Sequence, residues 1–248
     1  MSATLGVTNA SAEPAFRSIV AHAALRFLPA GRGAYYFSRT KLGGDPVFAA
    51  LLRDGRIASR ARIVDLGCGM GMLPALFAAV ESSDAKSWPE NWAPPATDWT
   101  LYGFDLRSGA IAAGQRALAD LGHRVQLAVD DVRTAPLPTS DVVVLLDVLH
   151  YIDAAAQQAL LARVHSALAP GGSLLMRVAD AAPTWRFRLT LAGDWCVLFA
   201  RGSLWPRFCC RPLAEWTALL EAIGFTVHAQ SMSEGTPFAN VLLIATKR

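Results

Sequence analysis

Three glycines at alternate positions, Gly67, Gly69 and Gly71, separate a short apolar stretch from an apolar helical run. Glycine has no Cβ, so a turn of this kind lets the backbone approach a ligand closely. Asp65 lies just before the turn, where its carboxylate would repel a phosphate and favours a cationic group. A dinucleotide fingerprint needs G-x-G-x-x-G, but here Met72 stands where the third glycine belongs. The spacing therefore indicates a nucleoside-like ligand with a cationic group, and the alternative is a strand-to-helix turn without a ligand.

Further acidic residues close other predicted strands. Asp105 ends the stretch 100–106, and an acid at the end of a second strand accepts hydrogen bonds from a ribose diol. The same carboxylate is also suited to cap the following helix, and the two roles are compatible. Asp130 and Asp131 close the stretch 125–129, and Asp147 closes the apolar stretch that starts at 141. These acids are expected at one edge of a sheet.

The elements that carry these residues alternate between strand and helix. We predict strands over 62–66, 100–106, 125–129, 141–146, 173–180, 225–232 and 240–248, and helices over 73–80, 108–121, 154–168 and 212–223. The stretch 141–146 is apolar throughout, as a central parallel strand buried on both faces should be. The alternation predicts an α/β fold with a mostly parallel sheet.

A helical arm is predicted before the sheet. Apolar residues recur at helical spacing over 13–27, and Pro29 and two glycines end that helix. Asp45 and Pro46 are typical of a helix start, and this helix should end at Gly55. We expect two units, an arm over 1–57 and a body over 58–248. Residues 82–99 are interpreted as a loop whose three tryptophans pack on the body.

The order of these motifs resembles the class I S-adenosylmethionine (SAM)-dependent methyltransferases. The resemblance runs from about residue 60 to the end, through D-x-G-x-G-x-G, the acidic strand ends, DVLHY at 147–151 and L-x-P-G-G at 168–172. It implies a Rossmann-like seven-stranded sheet, mostly parallel with one antiparallel strand, and helices on both faces. It also implies that the arm caps the cleft and that residues 181–211, after the fifth strand, form a substrate lid.

The resemblance implies SAM as cofactor and S-adenosylhomocysteine (SAH) as product. Asp65 would help to hold the methionine ammonium group, and Asp105 the ribose. Asp131 followed by Val132 fits the adenine position better than Asp130, which stays an alternative. Asp147 would lie beside the reacting methyl group. The full cofactor-binding set is Asp65, Gly67, Cys68, Gly69, Gly71, Asp105, Leu106, Asp131, Val132 and Asp147, with Cys68 as a small residue inside the turn.

His150 is the candidate catalytic residue. Its position in DVLHY and its near-neutral pKa suit a general base for a phenol or another hydroxyl. The alternative is a histidine that packs under the lid or bonds to the backbone. No H-x-x-H or carboxylate cluster indicates a metal, and no G-x-S-x-G indicates a hydrolase. The absence of an N-P-P-Y-type tetrad after the fourth strand argues against methylation of DNA or RNA amines.

Two other segments bear on the substrate. Tyr35, Tyr36, Arg39 and Lys41 are placed so that they could reach the cleft, where one cation could pair with the cofactor's carboxylate. The segment 181–211 combines aromatic residues with five arginines and one acid, Asp194. It is interpreted either as a packed helical cap or as a lid for a lipid-like or aromatic acyl substrate, a docking surface for an acidic acyl carrier protein, or a peripheral membrane contact. RNA stacking is disfavoured by a net charge of only +3.

The leading hypothesis is O-methylation of a small hydrophobic, aromatic or acyl-chain substrate. KLGGDPVFAALLRDG and SEGTPFANVLLIA are similar to methyltransferases encoded with bacterial aryl-polyene and fatty-acid-like pigment synthesis, which implies a phenolic or polyene acyl group on a carrier protein. The alternatives are a protein or RNA methyltransferase and a non-catalytic SAM-binding scaffold. The four cysteines show no spacing typical of disulfides, and the N-terminal residues do not resemble a signal peptide. Both observations favour a cytoplasmic protein.

Overall fold

The computed structural model describes residues 12–200, 208–233 and 235–248. Residues 1–11 of the expected arm, residues 201–207 of the expected lid and residue 234 lie outside this part. The helices are α1 (Ala12–Leu25), α2 (Arg32–Gly44), α3 (Pro46–Arg53), α4 (Met72–Glu81), α5 (Ser108–Ala117), α6 (Ala154–Ala167), α7 (Trp185–Ala200) and α8 (Leu213–Ile223). The strands are β1 (Arg62–Leu66), β2 (Thr100–Asp105), β3 (Val125–Val129), β4 (Ser140–Leu146), β5 (Leu168–Ala179), β6 (Phe225–Ser231) and β7 (Asn240–Lys247).

The seven strands form one sheet in the order β3-β2-β1-β4-β5-β7-β6. All neighbours from β3 to β5 pair in parallel, whereas β7 runs antiparallel to both β5 and β6. The predicted architecture, a mostly parallel Rossmann-like sheet with one antiparallel strand, is therefore confirmed. The carboxyl ends of β1, β2, β3 and β4 meet at one edge, as expected for parallel strands.

Both faces of the sheet are covered, so neighbouring residues of one strand enter different cores. Ile63 joins the core formed with α1, α3, α4 and α5, while Val64 joins the core formed with α6 and α8. The three tryptophans of the loop 82–99 pack on the body as expected: Trp99 is fully buried, Trp92 nearly so, and Trp88 contacts Trp92 edge to face.

The structure corrects several predicted bounds. Helix α2 was not predicted, because the only fully buried residues on it are Ser38 and Leu42 and so it lacks an apolar stripe. The helix predicted over 108–121 ends at Ala117 and continues as a 3₁₀ segment, Ala119–Arg124. Strand β5 begins at Leu168 rather than at 173, because the L-x-P-G-G turn pairs with β4 through a shift in register.

Other predicted features are confirmed. Asp45 caps α3 by accepting a hydrogen bond from the Val47 N–H, and Pro46 is its first residue. Gly224 ends α8 in the left-handed conformation. In the part of the chain that the structure describes, no helix has both the length and the apolar character needed to cross a membrane.

Candidate functional site

The glycine turn connects β1 to α4 and has left-handed backbone at each glycine. The φ angles of Gly67, Gly69 and Gly71 are +83°, +61° and +73°. A Cβ on Gly67 would lie 2.2 Å from Val148 Cγ2, and one on Gly71 would lie 2.7 Å from Leu118 Cδ1. A Cβ on Gly69 would meet only the end of the Arg107 side chain, at 3.2 Å. Gly67 and Gly71 are therefore required by packing, whereas Gly69 borders the open edge of the sheet.

Asp65 and Asp105 lie close together beneath this turn. Asp65 is buried, and burial together with the negative charge of Asp105 raises the pKa of Asp65 to about 7. Burial alone would also raise the pKa of Asp105, but the hydrogen bonds and charge of Arg107 and the Gly69 N–H outweigh it and lower that pKa. At neutral pH the site therefore contains one ionised carboxylate and one that titrates near pH 7.

Cys68 fills the space between the turn and β2. It is buried, and a Cβ added to Gly103 of β2 would lie 2.8 Å from its Sγ. Burial, followed by the charges of Asp65 and Asp105, raises the pKa of this thiol well above its usual value. Cys68 is therefore a small packing residue that stays protonated, and it is not an activated nucleophile.

The ends of β2 and β3 present the remaining residues of this edge. Leu106 is 64% exposed, whereas Val132 is buried. The Asp131 carboxylate accepts the Arg133 backbone N–H at 2.9 Å and pairs with the Arg133 guanidinium. The Asp130 carboxylate instead accepts the backbone N–H of Asp131, at 2.7 Å. Both carboxylates thus accept hydrogen bonds from residues of the loop in which they lie.

This edge fits the cofactor that the sequence resemblance implies. The backbone at Gly69 is covered only by the end of the Arg107 side chain, and the Asp105 carboxylate accepts the Gly69 N–H at 2.9 Å. Leu106 follows Asp105 and has an exposed apolar side chain. A second acid, Asp65, is buried directly before the turn. Small residues, an ionised acceptor and an apolar surface are the groups that an adenosyl ligand with an amino-acid tail needs.

A partly buried ion-pair cluster lies at the carboxyl ends of β4 and β5. The Arg177 side chain of β5 is only 1% exposed, and its guanidinium contacts Asp147 on one side and Asp45 on the other. Its Nε donates to Asp147 Oδ1 at 2.8 Å. Lys41 of α2 adds a second cation, with its Nζ 2.7 Å from Asp45 Oδ2 and 3.7 Å from Asp147 Oδ2. The cluster joins the arm to the sheet with two positive and two negative charges.

The charges of this cluster hold both acids ionised. Burial would raise the pKa of Asp45, but Arg177 and Lys41 lower it to about 2. The pKa of Asp147 is likewise lowered, because Arg177 outweighs the effect of burial. Asp147 also has a left-handed backbone, with φ at +59°. Sequence reasoning placed Asp147 at this edge but missed Arg177, although one arginine within the buried apolar strand SLLMRVAD is a signal for a buried partner.

A cavity of about 450 Å³ opens beside the ion-pair cluster. It lies between the arm, the carboxyl ends of β4 and β5, helix α7 and the loop before β7. Its lining residues are Phe37, Thr40, Lys41, Gly44, Asp45, Pro46, Asp147, His150, Arg177, Ala179, Thr190, Thr236, Phe238 and Asn240. Of the arm residues expected at the cleft, Lys41 lines the cavity, Arg39 bonds the Tyr35 hydroxyl at 2.7 Å, and Tyr36 is 62% exposed.

His150 lies in a 3₁₀ turn, Leu149–Tyr151, and forms part of the cavity wall. Its ring centroid is 3.9 Å from that of Tyr151 and 5.9 Å from that of Phe208. Burial lowers the pKa of His150, the Asp147 charge opposes this shift, and the Arg177 charge adds to it. The imidazole is therefore neutral at neutral pH and able to accept a proton.

The glycine turn and the cavity are parts of one edge. Val148 contacts Gly67 and follows Asp147 directly in the chain, so the turn packs against the loop that carries His150. The described part of segment 181–211 contributes Thr190 to the cavity wall, and the Arg186 guanidinium donates to the Ser233 and Thr236 carbonyls of the loop before β7. The structure thus brings together a cofactor-like edge and an adjoining, partly open cavity.

Several known proteins to which this chain is similar are methyltransferases. A family model described as "Methyltransferase domain" matches residues 37–230. A trans-aconitate 2-methyltransferase from Methylobacterium nodulans is 29% identical over 183 residues, which are 72% of this chain and 63% of that protein. The tetracenomycin polyketide synthesis 8-O-methyl transferase TcmO from Streptomyces glaucescens is 43% identical over 53 residues, which are 21% of this chain and 16% of that protein. This chain therefore spans less than two thirds of the length of either relative.

A solved structure shares the fold. It is an O-methyltransferase from neocarzinostatin biosynthesis, NcsB1, in complex with SAH and 1,4-dihydroxy-2-naphthoic acid. It aligns with a TM-score of 0.53 and 23% sequence identity, over 97% of this chain and 74% of that chain. The shared architecture extends through the arm as well as the sheet.

Proposed function

Because the chain belongs to the family of class I SAM-dependent methyltransferases, we propose that it methylates a hydroxyl oxygen on a hydrophobic aromatic or acyl-chain acceptor. SAM is its methyl donor and SAH the product. When bound, SAM supplies a methyl group on a positively charged sulfur that leaves readily. The residues proposed to hold it are the glycine turn, Asp65 at the ammonium group, Asp105 and Leu106 at the ribose, and Asp131 with Val132 at the adenine.

The proposal for the acceptor rests on the cavity beside Asp147. Its volume of about 450 Å³ suits a small molecule or part of an acyl chain. Phe37, Pro46 and Phe238 provide apolar walls, whereas the charged cluster and His150 lie together at the carboxyl edge of the sheet. An apolar body with one polar reacting end matches this distribution. Support comes from two similar proteins, of which one is named for polyketide synthesis and the other was solved in complex with 1,4-dihydroxy-2-naphthoic acid, an aromatic compound with hydroxyl groups.

His150 is proposed to accept the proton of the acceptor hydroxyl. Its lowered pKa keeps the imidazole neutral, so a proton acceptor is available at neutral pH. Proton removal frees an electron pair on the acceptor oxygen for bond formation. Asp147, held ionised by Arg177, then stabilises the imidazolium that forms. The remaining contribution of the chain is to orient the acceptor and exclude water.

Segment 181–211 is proposed to act as the substrate lid. Its described residues include Thr190 in the cavity wall and the exposed side chains of Trp185 and Trp195. Arginines and aromatic residues together suit an acceptor delivered by an acidic acyl carrier protein. This partner, and a role in polyene or polyketide synthesis, are supported by the sequence resemblance and by the polyketide-related relative.

The first test is label transfer from methyl-labelled SAM. Purified protein is incubated with 1,4-dihydroxy-2-naphthoic acid, a simple phenol, a free fatty acid and a carrier-bound acyl chain, and in parallel with a cell lysate separated into lipid, protein and RNA fractions. We expect label on the phenolic or acyl compounds and in the organic extract. Label on RNA or on protein side chains would contradict the acceptor class, and SAM binding without any transfer would favour a scaffold.

Variants separate the role of the base from that of the cavity. His150→Gln should lower kcat about 10²-fold or more with little change in the Kd for SAH, because a positioned general base contributes that much. His123→Gln is the control, since His123 is exposed in the 3₁₀ segment before β3. Phe238→Ala should raise KM for the acceptor more than it lowers kcat. Equal turnover of His150→Gln and wild type would exclude His150 as the base.

A further inference from the structure

The Asp105 carboxylate is saturated with hydrogen bonds. Its Oδ1 accepts the Arg107 backbone N–H and the Arg107 Nε–H, both at 2.9 Å. Its Oδ2 accepts the Gly69 N–H at 2.9 Å and Arg107 Nη2 at 3.0 Å. A carboxylate has about four acceptor positions, so all of them are in use. A further donor can bind Asp105 only if one of the present donors leaves.

Only the guanidinium can leave without breaking the fold. The Gly69 and Arg107 N–H groups belong to the backbone of the turn and of the loop after β2. The Arg107 side chain is 47% exposed and carries its charge on a flexible stem, so it can move into water. The two side-chain hydrogen bonds that would break are donated to the two different oxygens of the Asp105 carboxylate. A ribose diol also offers two hydroxyl donors, which makes it a direct chemical substitute for this guanidinium.

The position of the guanidinium supports the same conclusion independently. A Cβ built on Gly69 would lie 3.2 Å from Arg107 Nη2, so the guanidinium covers the open backbone of the glycine turn. This is the surface that the proposed function assigns to the cofactor. The Arg107 side chain therefore binds Asp105 and covers Gly69, the two residues that the ribose would contact.

We propose that Arg107 determines cofactor affinity by competing with the ribose diol for Asp105. In the cofactor-free protein the guanidinium neutralises and desolvates this acid, and cofactor binding displaces it into solvent. The inference rests on the proposed role of Asp105 as the ribose-binding residue. Removing the competitor should strengthen binding, an effect that structural damage does not produce.

The test is calorimetric titration with SAH, which lacks the sulfonium charge of SAM and so reduces direct electrostatic effects. Arg107→Ala should bind SAH about fivefold more tightly than wild type, the factor that corresponds to an ion pair of ~1 kcal/mol with one exposed partner. Arg107→Lys keeps the charge but not the two-pronged geometry, so its affinity should lie between those two. Arg62→Ala is the control, because Arg62 makes the same bidentate contact with Asp141 at the opposite edge of the sheet.

Each outcome decides between the inference and the function on which it rests. Unchanged or weaker SAH binding by Arg107→Ala, with Asp105→Ala clearly weaker than wild type, would overturn the competition while keeping the ribose site. Unchanged binding by Asp105→Ala would overturn both the ribose assignment and the competition. None of these results depends on the acceptor, so a failure of the proposed O-methylation would be seen separately in the label-transfer assay.

Discussion

Replacing Gly69 by alanine should weaken cofactor binding at a small cost in stability. The residue has a φ of +61°, and a left-handed backbone costs a residue with a Cβ roughly 1–2 kcal/mol. The new methyl group would meet only Arg107 Nη2, at 3.2 Å, and that side chain is free to move away. The free energy of unfolding should therefore fall by about 1–2 kcal/mol, which lowers Tm by about 2–8 °C in a chain of this size.

The effect on binding should be much larger. The methyl group projects onto the surface that we assign to the ribose. A shape mismatch of this kind costs ~1–3 kcal/mol, so the Kd for SAH should rise about 5- to 150-fold. Gly67→Ala should behave differently, because its Cβ would lie 2.2 Å from Val148 Cγ2 and would disrupt packing inside the fold. That variant should lose more stability than Gly69→Ala.

The assay combines SAH titration with thermal unfolding of the same preparations. Gly171→Ala is the matched control, because Gly171 has a φ of +73°, no atom within 4 Å of its Cβ position and a place at the other edge of the sheet. It should lose similar stability and retain wild-type affinity. Folded Gly69→Ala protein that binds SAH as tightly as wild type would refute the placement of the cofactor at the glycine turn.

Three further predictions concern the titratable groups. SAM binding at pH 7 should release about half a proton, because Asp65 with a pKa of about 7 is half protonated there and an ammonium partner lowers this pKa; titration in buffers of different ionisation enthalpy measures the release, and Asp65→Asn should abolish it. Arg177→Met should destabilise the fold by about 3 kcal/mol in urea, since it leaves the nearly buried Asp45 and the partly exposed Asp147 without their main partner, whereas Lys41→Met should cost less than about 1 kcal/mol. The stability that Asp45 contributes should be present above about pH 4 and lost toward pH 2, because its pKa is lowered from 3.8 to about 2; Asp45→Asn should flatten this part of the acid unfolding curve.

Much of the fold follows from local patterns. The bounds predicted for β1 agree with the structure, because short apolar runs between turn residues are typical of buried parallel strands. The bounds predicted for β3 also agree, although β3 is an edge strand in which only Leu127 is buried. Helix α2 could not be predicted this way. It is held between other arm elements, and its few buried positions, Ser38 and Leu42, do not form a recognisable stripe.

The candidate site was predictable where a motif specifies backbone geometry. The glycine turn adopts left-handed backbone at Gly67, Gly69 and Gly71 because few other residues tolerate it, so spacing alone located it. The partners of the acids were not predictable. Arg107 saturates Asp105 through side-chain rotamers that no periodicity encodes.

The sequence by itself determined an α/β methyltransferase architecture, the order of its strands along the chain and the acidic strand ends of a candidate cofactor edge. Only the tertiary structure decided which charges neutralise one another. Arg177 meets Asp147 from 30 residues away and Asp45 from 132 residues away. The physical reason is that a parallel sheet brings the carboxyl ends of distant strands to one edge, where burial makes each charge depend on its spatial neighbours.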